Sequence, residues 1–114
     1  MDIQAFELVI LRPPPTPPAL DEAALARNQR DHLAYYDRLR SEGTVVTNGP
    51  LLDQPDESLR ALALFRTGSL DTARRLAEQD PAVRAGRFAV EVMSYWCNPG
   101  TMTLPGRLLT LPDP

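Results

Sequence analysis

Apolar residues along this chain fall into four short runs and two stretches with helical spacing. The runs are rich in β-branched and aromatic residues, which predicts strands over residues 3–11, 44–52, 59–65 and 87–96. The two periodic stretches predict helices over residues 21–41 and 70–79. The order is β-α-β-β-α-β, the split βαβ arrangement, which predicts an α+β fold with a four-stranded antiparallel sheet and two helices on one of its faces.

Local capping signals mark the ends of the helices. Asp21 and Ser69 are good N-cap residues for the first and second helix. Asp80 precedes Pro81 and therefore avoids the α region, which ends the second helix and leaves a short turn over residues 82–86. Asp80 is also well suited to cap that turn, because proline is favoured at the first position after a cap.

One face of the first helix is apolar except for a histidine. At 100° per residue, a single stripe contains Leu25, His32, Tyr36 and Leu39. The second helix turns an apolar face inward, made of Leu70, Ala73, Leu76 and Ala77. His32 is the only histidine, and imidazole is the side chain whose ordinary pKa lies near neutrality. It is either a core histidine bonded to backbone or water, or a general acid or base at a pocket wall.

Prolines interrupt the pattern at two places. RPPPTPP at residues 12–18 cannot pair in a sheet or continue a helix, so it is a stiff, extended connector. We interpret it as a spacer between strand and helix in preference to a rim over a pocket. Asn48-Gly49 has the composition of a hairpin turn, but Pro50 directly after it favours a strand end or a bulge. Gly49-Pro50 is then more a backbone bend than a ligand contact.

The third and fourth strands carry apolar residues on both faces. Two helices cover only one side of a sheet, and an uncovered apolar face is a liability for a monomer. Closed two-fold dimers are the commonest oligomers, so we expect a homodimer joined through the sheet faces.

The composition describes one globular domain without nucleic-acid or membrane partners. The chain has 114 residues, 43% of them hydrophobic, and a net charge of −3. All twelve cationic residues are arginines dispersed along the chain, which does not form the basic stripe that nucleic-acid binding needs. No apolar run approaches the about 20 residues of a membrane span.

The cysteine and histidine content bears on compartment and metal binding. A single cysteine, Cys97, excludes an internal disulfide and suits a reducing compartment. One cysteine and one histidine fall short of the four ligands of a structural zinc site. From this content we expect a protein without a metal. The first residues lack the positive region of a secretory signal, so we expect the protein to be cytoplasmic.

Three motifs in this order resemble the YciI-like (YCII-related) family: His32 midway along the first helix, Gly49-Pro50 near the end of the second strand, and Asp80-Pro81 after the second helix. The similarity spans residues 3–96 and implies a ferredoxin-like fold assembled as a dimeric α+β barrel. It divides the chain into a YciI-like domain over residues 1–97 and a Pro/Gly-rich tail over 98–114. Within that tail we expect no regular structure except a short turn or strand near 107–111.

The resemblance also implies an active site in which His32 pairs with Asp80. Family members are linked to dehalogenase or lyase chemistry on muconate-like ring-cleavage products, and they resemble muconolactone isomerases in architecture. In such a dyad the carboxylate fixes the imidazole tautomer, and the other ring nitrogen transfers a proton. The RPPPTPP segment and the tail depart from the family pattern, so the resemblance does not imply a substrate.

We therefore predict an acid–base enzyme of the lyase, isomerase or dehydrohalogenase type, with no metal or cofactor, acting on a small molecule, with or without a carboxylate. The predicted catalytic residues are His32 and Asp80. The predicted substrate-binding residues are Tyr36, Asn48, Gly49 and Pro50. The alternative is a non-catalytic ligand-binding or accessory module, and a monooxygenase-like barrel is less favoured.

Overall fold

The computed structural model describes residues 1–103, 106 and 109–112 of the chain. Its elements, in chain order, are β1 (Gln4–Arg12), α1 (Glu22–Ser41), β2 (Val45–Pro50), β3 (Ala61–Phe65), α2 (Leu70–Glu78), α3 (Pro81–Arg84) and β4 (Ala89–Cys97). The predicted strands and the two predicted helices are therefore present, with their ends shifted by one or two residues. The element predicted near residues 107–111 lies partly outside the described residues.

The four strands form one antiparallel sheet in the order β2-β3-β1-β4. β1 is a central strand, and its Val9 lies opposite Ala63 of β3 on one side and Val92 of β4 on the other. This is the strand arrangement of the ferredoxin-like α+β fold, so the fold class predicted from the sequence is confirmed.

A third helix, α3, occupies the segment predicted as a turn. The backbone N–H of Ala82 donates to Oδ1 of Asp80 at 2.8 Å, and Pro81 fills the first helical position. With the cap bonded and the proline φ already helical, the turn closes into one turn of helix. The structure thus has three helices in its described residues where the sequence predicted two.

The core lies between one face of the sheet and the helices. Val9, Phe65 and Tyr36 are almost completely inaccessible to solvent at its centre. The buried cluster brings together strand residues Val9, Leu11, Val45, Ala63 and Phe65 with helix residues Tyr36, Leu39, Ala73 and Ala77. Burying large apolar side chains contributes about 1.5–3 kcal/mol each, so this interface holds α1 in place against the sheet.

Two residues predicted to face inward are exposed instead. Leu25 is 43% exposed and Leu70 is 45% exposed, although each lies on the apolar side of its helix. Both belong to the first turn of their helix. Periodicity identifies the inward side of a helix but does not indicate how far the opposing sheet extends, so these two assignments were wrong.

The sheet face opposite the helices is unevenly covered. Met93 and Tyr95 of β4 are about two-fifths exposed on this face, whereas Phe6 and Ile10 of β1 are buried. Trp96, on the helix side of the same strand, is also largely exposed. Among the described residues, no helix combines the length and the hydropathy that crossing a bilayer requires.

Candidate functional site

His32 and Asp80 meet beneath the sheet although 48 residues separate them in the chain. His32 lies on the buried side of α1, and Asp80 is the N-cap of α3 with no solvent exposure. Nδ1 of the imidazole lies 2.8 Å from Oδ2 and 2.9 Å from Oδ1 of the carboxylate. The aspartate both caps its helix and bonds the histidine, because a carboxylate accepts several hydrogen bonds.

This contact assigns the imidazole tautomer. A carboxylate only accepts hydrogen bonds, so Nδ1 of His32 carries the proton that is donated to Asp80. In the neutral ring Nε2 then keeps its lone pair, and it is the nitrogen free to take a proton from another group. An imidazole held in this way can act as a general base, with its orientation fixed by the buried carboxylate.

Two side chains hold the helices around this pair. Nδ2 of Asn28 donates to the carbonyl oxygen of Pro81 at 3.0 Å, which bonds α1 directly to α3. Oδ1 of Asn28 accepts from Nη1 of Arg87 at 2.8 Å, and Oε1 of Gln29 accepts from Nη2 at 2.9 Å. Burial lowers the pKa of Arg87, and the negative charge of Asp80 partly opposes that shift. Both amide side chains of this turn of α1 are thus used in fixed contacts.

A β-bulge in β2 turns Asn48 toward the helices. Val45 lies opposite Phe65, and after a one-residue shift in register Asn48 lies opposite Ala63. Directly opposed residues share a face of an antiparallel sheet, and Phe65 and Ala63 both belong to the core. Regular alternation from Val45 would have turned Asn48 to the other face, so the extra residue decides its position.

The Gly49-Pro50 motif closes the same strand. Gly49 lies opposite Leu62 and Pro50 opposite Ala61, and β2 ends at Pro50. A strand end at this point was one of the two predicted outcomes, whereas the bulge lies earlier in the strand. β2 is an edge strand, where a proline removes no hydrogen bond that the sheet requires.

An inner cavity of about 260 Å³ adjoins this region. His32 and all four predicted substrate-binding residues line it, namely Tyr36, Asn48, Gly49 and Pro50. Asp80 does not line it and lies behind the imidazole. The sequence missed Gln29, Arg60 and Phe88, which also line the cavity. Arg60 directly precedes β3 and Phe88 directly precedes β4, positions at which the sequence pattern predicts a strand but no chemistry.

Tyr36 has a buried hydroxyl that is not hydrogen-bonded within the described part of the chain. Its ring packs edge-on to the imidazole of His32, with ring centroids 5.3 Å apart. Burial raises the pKa of Tyr36, and the nearby charge of Asp80 raises that pKa further. The hydroxyl therefore stays protonated, and it is an unused hydrogen-bond donor in a residue that lines the cavity.

A second, outer cavity of about 620 Å³ lies beside the proline-rich connector. Pro13, Pro14, Pro17 and Pro18 line it together with the exposed Leu25. Gln29, Arg60 and Phe88 line both cavities, so the outer one adjoins the inner one. The connector is thus a rim of a cavity as well as a spacer, and the interpretation as a spacer alone was incomplete.

The chemistry of the site is that of one imidazole, one carboxylate, the guanidinium of Arg60 and neutral polar groups. Within residues 1–103, 106 and 109–112, no three His, Cys, Asp or Glu side chains come together in a way that could hold a metal ion. Phe88, with its ring centroid 6.2 Å from that of His32, adds an aromatic wall. Such a site suits proton transfer to or from a small molecule.

Comparison with known proteins places the chain in a family. No curated protein matches it significantly. Among solved structures it is similar to 5-chloro-2-hydroxyhydroquinone dehydrochlorinase from Burkholderia phenoliruptrix AC1100, in complex with 2,5-dihydroxybenzoquinone, with 22% identity, a TM-score of 0.49 and coverage of 78% of this chain and 90% of that one. A model of the YCII-related domain matches residues 9–96, most of the chain, and the protein therefore belongs to the YCII-related family.

Proposed function

We propose that this protein is an acid–base enzyme of the lyase, isomerase or dehydrohalogenase type. His32 acts as the general base through Nε2, and Asp80 holds the imidazole in the correct tautomer and stabilises the imidazolium that forms. The reaction removes a proton beside a carbonyl group, and the electron pair left on carbon shifts a double bond or expels a leaving group. An imidazole and a carboxylate suffice for this step, so the proposal invokes no metal and no cofactor.

One observation carries the proposal. A fully buried carboxylate bonds Nδ1 of an imidazole whose residue also lines a cavity. Burying a charged group without a partner is costly, so a buried aspartate needs its bonds from Ala82 and His32. A histidine that served packing alone would not need to border a cavity.

The remaining residues of the inner cavity have roles that suit this chemistry. The Tyr36 hydroxyl and the Asn48 side-chain amide donate hydrogen bonds to the carbonyl oxygen on which negative charge develops. Gly49 and Pro50 form part of the cavity wall. Leu33, which lines the cavity next to His32, supplies apolar surface against the ligand.

The test is proton exchange. Wild-type protein and a His32→Gln variant are incubated in deuterium oxide with a panel of small carboxylated ketones and lactones, and deuterium uptake beside the carbonyl is followed by NMR. We expect the variant to lose about 100-fold or more of the exchange rate for the compound that the wild type processes best. A Tyr95→Phe variant, altered on the opposite face of the sheet, is the control and keeps the wild-type rate.

Equal exchange by wild type and His32→Gln, with both proteins folded and still binding the compound, would contradict the proposal. That result would favour the alternative function, a module that holds a small molecule without reacting it.

We also propose that the chain forms a homodimer through the sheet face opposite the helices. Support comes from the exposure of Met93 and Tyr95 on that face. We expect sedimentation equilibrium to give twice the mass of one chain, and Tyr95→Arg to shift the protein toward monomer. Leu70→Arg, equally exposed but on α2, is the matched control. A monomeric wild type at micromolar concentration would exclude the dimer.

A further inference from the structure

We infer that Arg60 and Arg87 form an anion site where the two cavities adjoin, and that the ligand is an elongated carboxylate whose apolar end lies against the proline rim. This inference deepens the proposed function, because it rests on the same cavity and names the class of substrate that the cavity selects.

The charges of the described residues point to an anion. Arg60 lines both cavities and Arg87 lines the outer one. In the part of the chain that the structure describes, neither guanidinium has a carboxylate within 4.0 Å, although the protein contains fifteen acidic residues. Arg12, Arg38, Arg40 and Arg74 each pair with an acid. Five other arginines of the described residues also have no carboxylate partner, but they line neither cavity, namely Arg27, Arg30, Arg66, Arg75 and Arg84. Two cations without counter-ions at one cavity mouth favour an anionic ligand group.

The side chain of Arg87 and the backbone of Arg60 are fixed by contacts that leave guanidinium N–H groups free. Arg87 spends Nη1 on Asn28 and Nη2 on Gln29, and its guanidinium stacks over the Phe88 ring at 5.1 Å. The backbone of Arg60 is bonded on both sides, because its N–H donates to Leu11 and its carbonyl accepts from Leu51. A guanidinium has five N–H donors, so both groups retain donors for a carboxylate.

The apolar lining of the outer cavity indicates that one end of the ligand is apolar. Four prolines and Leu25 line the outer cavity, and proline rings have a fixed φ that keeps such a surface preformed. A preformed apolar wall costs little ordering when a ligand binds. It also gives the exposed Leu25 an apolar surface to contact when the ligand binds.

The position of the anion site relates the ligand to the reacting group. Arg60 and His32 line the same inner cavity, and Arg60 also lines the outer one, so a carboxylate bound at Arg60 can carry two substituents on its neighbouring carbon, one in the space that the imidazole borders and the apolar one on the rim. Bidentate pairing with a guanidinium fixes orientation as well as charge. The inference therefore gives Arg60 the role of selecting the substrate and Arg87 the role of reinforcing the positive charge.

The charge is tested with two probes of the same shape. Binding of biphenyl-4-carboxylate and of biphenyl-4-carboxamide is measured by titration calorimetry. We expect the carboxylate to bind about tenfold more tightly, as one charge-assisted pair provides. Arg60→Gln removes this preference and Arg60→Lys keeps part of it, whereas Arg75→Gln, the same change of charge on the exposed side of α2, leaves it intact.

The apolar rim is tested with a matched pair of leucines. Biphenyl-4-carboxylate should bind several-fold more tightly than benzoate, since its second ring lies on the rim. Leu25→Gln reduces this difference, and Leu70→Gln, of similar exposure but lining neither cavity, does not.

The outcomes separate this inference from the proposed catalysis. Equal affinity for carboxylate and carboxamide, no saturable binding of either probe at millimolar concentration, or an equal effect of Arg60→Gln and Arg75→Gln each overturns the anion site. His32→Gln is expected to keep the carboxylate preference, because the anion site does not use the imidazole. Failure of the exchange test with an intact preference would overturn the catalysis alone.

Discussion

Asn28 donates a hydrogen bond to the carbonyl oxygen of Pro81, the residue that directly follows Asp80, across 3.0 Å. His32 lies one helical turn after Asn28, so the same face of α1 makes two contacts with the start of α3. The hydrogen bond from the Asn28 side chain keeps α1 and α3 at the separation that the contact between imidazole and carboxylate requires. Asn28 hydrogen-bonds neither His32 nor Asp80, so any effect of it on the proposed dyad acts through the position of the helices.

Asn28→Ala should loosen this junction without removing the dyad. Losing its hydrogen bonds to Pro81 and Arg87 should lower the free energy of unfolding by about 1–3 kcal/mol, measured by urea denaturation. The Nδ1–H proton of His32, easily identified by NMR in a protein with one histidine, should exchange faster with water. Gln29→Ala, which loses only a contact to Arg87, is the control. An unchanged exchange rate in Asn28→Ala would show that the junction does not depend on this amide.

Replacing Asp80 tests the tautomer separately from the fold. In Asp80→Asn the side-chain oxygen still accepts from Ala82, so the amide nitrogen faces His32 and donates to Nδ1. The proton then moves to Nε2, which can no longer act as a base. We expect a loss of about 100-fold or more in proton exchange with a largely retained fold, and a changed imidazole ¹⁵N spectrum.

Asp80→Ala should reduce the stability of the fold, which Asp80→Asn largely retains. It removes the cap of α3 and the partner of His32 at a fully buried position, so the free energy of unfolding should fall by about 3–5 kcal/mol. If Asp80→Asn were as unstable as Asp80→Ala, the negative charge itself, and not the hydrogen-bonded shape, would hold this part of the fold.

Tyr36→Phe should separate stability from ligand binding. A buried hydroxyl without a partner among the described residues is costly, so its removal should leave the free energy of unfolding equal or raise it by about 1 kcal/mol. If the hydroxyl binds the substrate, the same variant should bind or process that substrate about tenfold less well. A variant that loses stability and keeps activity would assign Tyr36 to packing alone.

The same residue predicts a dependence on alkaline pH. Burial raises the pKa of Tyr36 above the value of about 10 in the unfolded chain, so the folded state holds this proton more tightly. The resulting stabilisation is complete below pH about 10 and is lost as the pH rises toward the folded-state value. Urea denaturation in alkaline buffer should therefore show a smaller loss of stability in Tyr36→Phe than in wild type.

Gly49 and Gly43 should respond oppositely to alanine. Gly49 has no positive φ, and a Cβ added there meets nothing within 4 Å, so Gly49→Ala should raise the free energy of unfolding by about 0.4–1 kcal/mol. Gly43 ends α1 with a φ of +79°, and Gly43→Ala should cost about 1–2 kcal/mol. Thermal or urea denaturation of the two variants checks both signs, and a destabilised Gly49→Ala would mean that β2 needs a glycine for contacts outside this chain.

Local sequence signals predicted the parts of the fold that depend on neighbouring residues. Asp21 and Ser69 cap α1 and α2 as expected, because a cap involves side chain and backbone only three residues apart. Helical spacing placed His32, Tyr36 and Leu39 on one buried side for the same reason. Leu25 lies on that side too, but its burial depends on where the sheet ends, which spacing along a helix does not encode.

The candidate site itself required tertiary structure. From its own residues Asp80 was predicted as a cap, and its pairing with His32 followed only from the family resemblance. The contact depends on how α3 packs against α1, and the orientation of Asn48 depends on a one-residue bulge in β2. Arg60 and Phe88 line the cavity from positions directly before two different strands, β3 and β4. No local pattern distinguishes them from other residues next to a strand.

By itself, then, the sequence determined the order of the strands and of the two longer helices, the caps of those helices and the buried side of α1, because these follow from backbone geometry and from hydrophobic spacing over a few residues. Packing in three dimensions decided which polar groups meet, which leucines stay exposed and where the cavities lie. Those outcomes depend on contacts between residues about 50 positions apart. The interaction energy of such a contact depends on both segments, so neither segment alone contains a periodic pattern that reveals it.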